Sequence, residues 1–224
     1  MRSPGFALLL LAAATPARAQ RQVYSMDPGW RFVLGELQGA ERPRFDDSKW
    51  RVVELPHDWS IEGIPLDDAP GGGRVGFFPS GTGWYRKTFR LPARPPRVRS
   101  GQAPARLSAL LEFEGIYMNG EVWVNGTRVG QRPFGYIAHV YDITKLLKSG
   151  DNVIAVRVDN SLQPNSRWYT GSGITRRVWL TLQHPLHVAH WGTWVTTPRV
   201  DSGHAEVVAR TRVENEGAAP RTGA

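Results

Sequence analysis

The 224-residue chain contains no cysteine. That excludes disulfide frameworks, thiolate metal sites, iron–sulfur clusters and cysteine nucleophiles. Lysine is scarce as well: 4 Lys stand against 24 Arg, and the arginines are scattered rather than gathered on one periodic face. The net charge of +8 therefore lacks the basic patch or helix of a nucleic-acid binder, and no nucleic-acid partner is expected. We read the arginine excess as composition bias, which bears on solubility rather than fold. No apolar run approaches the roughly 20 residues that a membrane-spanning helix needs. No GxxxxGK(S/T) loop is present, and the Gly71–Gly73 run is expected to open no helix, so nucleotide binding is not expected. A GxSxG nucleophile elbow is also missing.

What is present begins with a targeting signal. Met1 and Arg2 give a positive start, Phe6 to Ala14 is apolar, and Ala17-Arg18-Ala19 precedes Gln20 as a small-x-small cleavage site. This is the layout of a secretory signal peptide over residues 1–19, which predicts a periplasmic or secreted protein.

Beyond residue 30 the pattern is β. Leu110 to Ile116, Glu121 to Val124, Asn152 to Val158 and Arg177 to Leu182 read as strands. Asn125-Gly126 between apolar runs is the strongest short hairpin signal. One helical turn is predicted between the strands, capped by Asp142, with Ile143 to Leu147 as its body and Gly150 as its stop. Many short strands with Gly- and Pro-rich turns predict an all-β jelly-roll sandwich over residues 20–184. Residues 62–83 are expected to form a long irregular loop, of the kind kept for function, and residues 92–106 a surface insertion. From residue 185 two further strand-like runs, Trp191–Thr197 and Ala205–Val213, predict the start of a second domain, incomplete at residue 224.

The chemistry-bearing candidates are few. His184, His187 and His190 recur every third residue, but in an extended chain 184 and 190 point one way and 187 the other, so no metal site is expected. Glu112 and Glu114 share a strand face at a spacing that suits a retaining glycosidase pair, yet alternate polar residues on a strand normally face solvent. Asp46-Asp47 and Asp67-Asp68 are expected in solvated turns. Asn125-Gly126-Thr127 is both a glycosylation sequon and the hairpin turn. Trp50, Trp59, Trp84, Tyr85, Trp168 and Tyr169 gather near polar residues. Together they suggest a sugar-binding surface, although each one singly is better explained as core.

The motifs occur in a recognisable order: Trp30-Arg31-Phe32, Phe45 to Trp50, Leu55-Pro56-His57-Asp58-Trp59, Gly83-Trp84-Tyr85-Arg86, Phe113-Glu114-Gly115, Trp123-Val124-Asn125-Gly126, and Asn165-Ser166-Arg167-Trp168-Tyr169 with Gly171-Ser172-Gly173-Ile174. Over residues 28–184 the sequence resembles the N-terminal sugar-binding domain of glycoside hydrolase family 2, in its bacterial β-galactosidase branch. The resemblance implies a jelly roll followed by the first strands of an immunoglobulin-like domain over 185–224. It implies a retaining enzyme of carbohydrate catabolism whose two catalytic glutamates lie on a barrel outside this chain, so no catalytic residue is assigned here. It places Asp58 and Arg167 at the non-reducing sugar, with Trp168 and Tyr169 packing at the rim and Trp168 counted with the substrate-binding residues. A carboxylate accepting hydroxyl protons and a planar guanidinium fork suit a galactose rim. A β-galactoside-type carbohydrate is the implied partner, no cofactor or metal is expected in this segment, and a homo-oligomer of the full-length enzyme is allowed. The competing readings are a related β-glucuronidase or β-mannosidase, a free-standing carbohydrate-binding module, and an interaction module unrelated to sugar.

Overall fold

The computed structural model describes residues 21–92, 107–217 and 219–220. The expected leader and nearly all of the 92–106 insertion lie outside them. The chain folds into β1 (Gln22–Ser25), β2 (Trp30–Leu34), β3 (Arg51–Val53), β4 (Gly81–Phe89), β5 (Ser108–Phe113), β6 (Gly120–Val124), β7 (Thr127–Arg132), β8 (His139–Asp142), β9 (Asn152–Asn160), β10 (Val178–Gln183), β11 (Leu186–Val200) and β12 (Ala205–Asn215). Four strands form one sheet in the order β1-β10-β5-β8, and six form the other in the order β3-β2-β4-β9-β6-β7. The paired strands are antiparallel, and the two sheets make a jelly-roll β-sandwich.

Alternation explains the packing. In β4 and β9, paired from Gly81↔Asn160 to Phe89↔Asn152, Tyr85, Val156 and Val158 face the other sheet, as do Leu111 and Phe113 of β5 and Leu180 of β10. Trp30 fills the centre, edge-on to Tyr85 and Phe113. The opposite face of the six-stranded sheet carries Trp84, stacked on Trp123 with ring centroids 5.4 Å apart. It is covered by Ala40 and Trp50 from the segment between β2 and β3. Arg86, 2% exposed, holds that segment down. Its Nε donates to Asp47 Oδ2 at 2.8 Å, and its guanidinium reaches the carbonyls of Ala40, Arg42 and Pro43. Asp47 is therefore an internal ion-pair partner and not the solvated turn residue expected.

The Asn-Gly hairpin forms as read: Asn125 (φ +52°) and Gly126 (φ +83°) turn β6 into β7. Both central residues at positive φ give the twist that such a hairpin needs. The helical turn at 143–147 does not form. Asp142 Oδ1 accepts the Thr144 N–H at 2.9 Å, but the chain makes only a turn. Asn152 takes the next backbone groups instead, accepting from the Lys148 N–H at 2.8 Å and donating to Lys148 O at 3.1 Å. The glycine run does open a 3₁₀ turn, Gly72–Val75, within the loop before β4. β11 and β12 form a separate two-stranded ribbon, longer than the runs read from the sequence.

Candidate functional site

The segment after β3 turns at one end of the sandwich. Asp58 caps a 3₁₀ turn over Trp59–Ile61. Its Oδ1 accepts the Ser60 N–H at 3.0 Å and, across more than a hundred residues of sequence, the Ser172 N–H at 2.9 Å. Its Oδ2 accepts the Tyr169 hydroxyl. Burial raises the Asp58 carboxyl above its ordinary value, against the pull of the Ser172 and Ser60 backbone N–H groups.

A polar network fixes the segment that meets Asp58. Asn160 Nδ2 donates to Ser172 Oγ at 2.7 Å and to Gly171 O at 3.1 Å. Gln163 and Asn165 amides donate to Asn160 Oδ1 at 2.9 and 2.6 Å. Ser60 Oγ lies 2.6 Å from Ser172 Oγ and 2.7 Å from Pro79 O. Two glycines permit this closeness. A Cβ on Gly171 would stand 3.1 Å from Asp58 Oδ2, and one on Gly173 (φ +135°) would overlap the Tyr85 hydroxyl and lie 2.5 Å from His57 O. Phe78, from the loop before β4, packs on Tyr169 with ring centroids 5.0 Å apart, so that loop serves as a wall here.

Behind Asp58, His57 bridges core and surface. Its Nδ1 is 2.7 Å from the Tyr85 hydroxyl, and its Nε2 is 2.9 Å from Glu62 Oε1 and 3.1 Å from Arg51 Nη2. Desolvation lowers the His57 imidazole, with Glu62 opposing. This set orients the turn that presents Asp58.

Of the residues expected at the site, Asp58 joins Tyr169 and Ser172, while Arg167 and Trp168 project outward from the same segment. Arg167 is exposed and enters no ion pair among the described residues. Trp168 is 65% exposed and does not pack as expected. The aromatic group divides: Trp50, Trp59, Trp84 and Tyr85 are buried, because adjacent strand positions such as 84 and 85 point into the two opposite hydrophobic layers. Asn165 and Ser172 were read only as members of a motif, and neither they nor Asn160 and Gln163 were assigned to the site. For Asn160 and Gln163 the available signal was the polar run from the end of β9 towards β10.

The carboxylate pair serves packing. Glu112 Oε2 lies 3.5 Å from His190 Nε2, and Glu114 accepts the Trp179 indole N–H at 2.8 Å. Asn125 does not present itself for glycosylation. Its Nδ2 donates to Leu146 O and Asn152 Oδ1, and its Oδ1 accepts the Val153 N–H.

Residues 76–185 match the family model described as glycosyl hydrolases family 2, sugar binding domain. The chain carries that family's sugar-binding domain. A β-galactosidase of Bacteroides ovatus is 47% identical over 197 residues, 88% of this chain and 22% of the relative. Among solved structures, a β-glycosidase from Bacteroides vulgatus superposes with a TM-score of 0.79 at 38% identity, covering 88% of this chain and 24% of that one. A Bacteroides uniformis β-glucuronidase gives 0.74 at 31% identity, with 88% and 23% covered. The chain thus spans less than a quarter of the length of these relatives. Asp58 precedes the window matched by the family model, whereas Arg167 to Ser172 lie within it.

Proposed function

We propose that this chain is the sugar-facing, non-catalytic N-terminal part of an exported retaining glycoside hydrolase that removes terminal β-D-galactosides. The observation that carries the reading is Asp58, held at one end of the sandwich by the segment that also presents Arg167 and Trp168. The three donors to Asp58 leave acceptor capacity on Oδ2, which suits a sugar hydroxyl. Arg167 offers a planar fork of donors to vicinal hydroxyls, and the Trp168 ring offers an apolar face to the sugar's C–H surface. In this reading residues 1–19 direct export with cleavage near Ala19. The ribbon from 185 onward opens an immunoglobulin-like domain, and a later barrel carries the two glutamates.

Arg167 also favours a second reading. A guanidinium with no ion-pair partner among the described residues would pair a uronate carboxylate bidentately, and the matched structures include a β-glucuronidase. The test is a longer protein carrying this chain ahead of its barrel, assayed on chromogenic β-galactoside and β-glucuronide. The proposal expects the galactoside to be the better substrate. It also expects Asp58→Ala to lower kcat/KM on it roughly 10- to 100-fold, the value of a lost hydrogen bond to a charged group. Preference for the glucuronide, abolished by Arg167→Ala, would establish the second reading instead. Turnover of neither would sink both.

A further inference from the structure

The base of the β11–β12 ribbon carries a cluster unconnected with the sugar-facing end. His187, on β11, pairs in register with Glu214 on β12, and Glu216 follows one residue beyond that strand. One ligand atom from each of the three lies within 4.8 Å of the others. The main chain closes around them where the ribbon leaves the sandwich, the Glu216 N–H donating to Pro185 O at 2.9 Å.

The three histidines take separate partners along the strand, as expected: His187 lies beside Glu214 of the ribbon, His190 beside Glu112 of β5, and His184 Nδ1 accepts the Leu186 N–H. Trp191 adopts φ +51°, and the β11–β12 register shifts between Val188 and Thr193. The irregularity lies beyond the in-register His187–Glu214 pair, and the His187 and His190 side chains, 6% and 15% exposed, lie beside different carboxylates.

The imidazole of His187 is set up as a ligand. Its Nδ1 is 2.8 Å from His184 O; a carbonyl only accepts, so the proton is on Nδ1. In the neutral ring Nε2 then carries the lone pair. Among the described residues this nitrogen makes no hydrogen bond, and Glu214 Oε2 lies 3.7 Å from it. Glu214 and Glu216 bring two carboxylates to one imidazole, a donor set suited to a divalent cation. Among the described residues, Arg212 pairs with the other oxygen of Glu214, Oε1, at 3.0 Å. Fixing one ring nitrogen with a backbone carbonyl is how metal-ligating histidines are commonly oriented.

We propose that His187, Glu214 and Glu216 form a binding site for a divalent transition metal of the zinc class, clasping the two strands at the root of the ribbon. One nitrogen and two carboxylate oxygens suit Zn²⁺ with a water in the fourth position. Ca²⁺ wants six to eight oxygens and Mg²⁺ a near-ideal octahedron, which this set does not supply. Ligand atoms on a tetrahedral zinc stand roughly 3.3 Å apart, so the cluster closes on the ion by about an ångström, with exposed Glu216 moving most.

The test titrates the tag-free full chain, stripped of metal with chelator, with Zn²⁺ alone by calorimetry and with Co²⁺ alone in the visible spectrum. The expected result is one ion per chain, the intense bands of four-coordinate Co²⁺, and a raised melting temperature in Zn²⁺. Glu216→Gln, at an exposed position that leaves the fold intact, should weaken binding at least tenfold. Glu206→Gln, farther along the ribbon, should leave it unchanged. Absence of binding, binding that Glu216→Gln does not weaken, or equal binding of Ca²⁺ or Mg²⁺ would overturn the proposal.

Discussion

Gly173 shows how little freedom single positions have around Asp58. Its φ of +135° is open to glycine and closed to other residues, and a side chain would drive into the Tyr85 hydroxyl and the His57 carbonyl. Gly173→Ala should destabilise the fold by about 3 kcal/mol or more, read from the midpoint of urea unfolding. Arg86 is as constrained for an electrostatic reason. Removing it leaves Asp47 with the longer Arg31 contact at 3.5 Å and frees three carbonyls above the Trp84–Trp123 layer. Arg86→Ala should therefore cost roughly 3–5 kcal/mol. The sequence marked Arg86 only as part of a motif. Nothing in the local pattern said that a charged side chain on a strand would end among loop carbonyls from a segment some forty residues earlier.

At the scale of elements, the β6–β7 hairpin depends on Asn125 for more than its backbone geometry. Its side chain ties the turn to the 143–147 turn and to the start of β9. Asn125→Ala should cost about 2–3 kcal/mol, since the Val153 N–H and Leu146 O lose their partner. Expression in a glycosylating host should leave Asn125 unmodified, which intact-mass analysis would show. This hairpin was legible because Asn-Gly encodes a turn within two residues. The predicted helical turn at 143–147 was not realised, because Asn152, outside the local window, offered the backbone an alternative partner. Such competition between side chain and helix is invisible to local propensity.

Across the whole molecule, desolvated histidines contribute to the response to acid. Desolvation lowers His57, His139 and His190 below the usual 6.5, with Glu62, Phe134 O and Glu112 respectively opposing it. The unfolded chain therefore binds more protons than the folded one below that value. Their contribution is complete above pH 6.5 and is lost as pH falls from 6.5 through the folded values. Chemical denaturation at pH 7.5 and 5.5 should show lower stability at the acid pH. The loss should be smaller in His139→Gln, whose parent imidazole is fully buried. A flat profile in the parent protein would contradict the assignment.

Alternation of apolar residues, the Asn-Gly turn and the absence of long helical periodicity determined an all-β chain and placed most of its strands, because these signals act over two to eight residues. The ordered motifs from Trp30 to Ile174 identified the family for the same reason: each is a short local constraint. Tertiary structure alone decided which tryptophans enter the core, and that Asp58 and Ser172 share a hydrogen bond across the chain. It also decided that β11 and β12 pair with His187 directly across from Glu214. Those outcomes depend on which segments meet when two sheets close on each other, and no window of neighbouring residues contains that information.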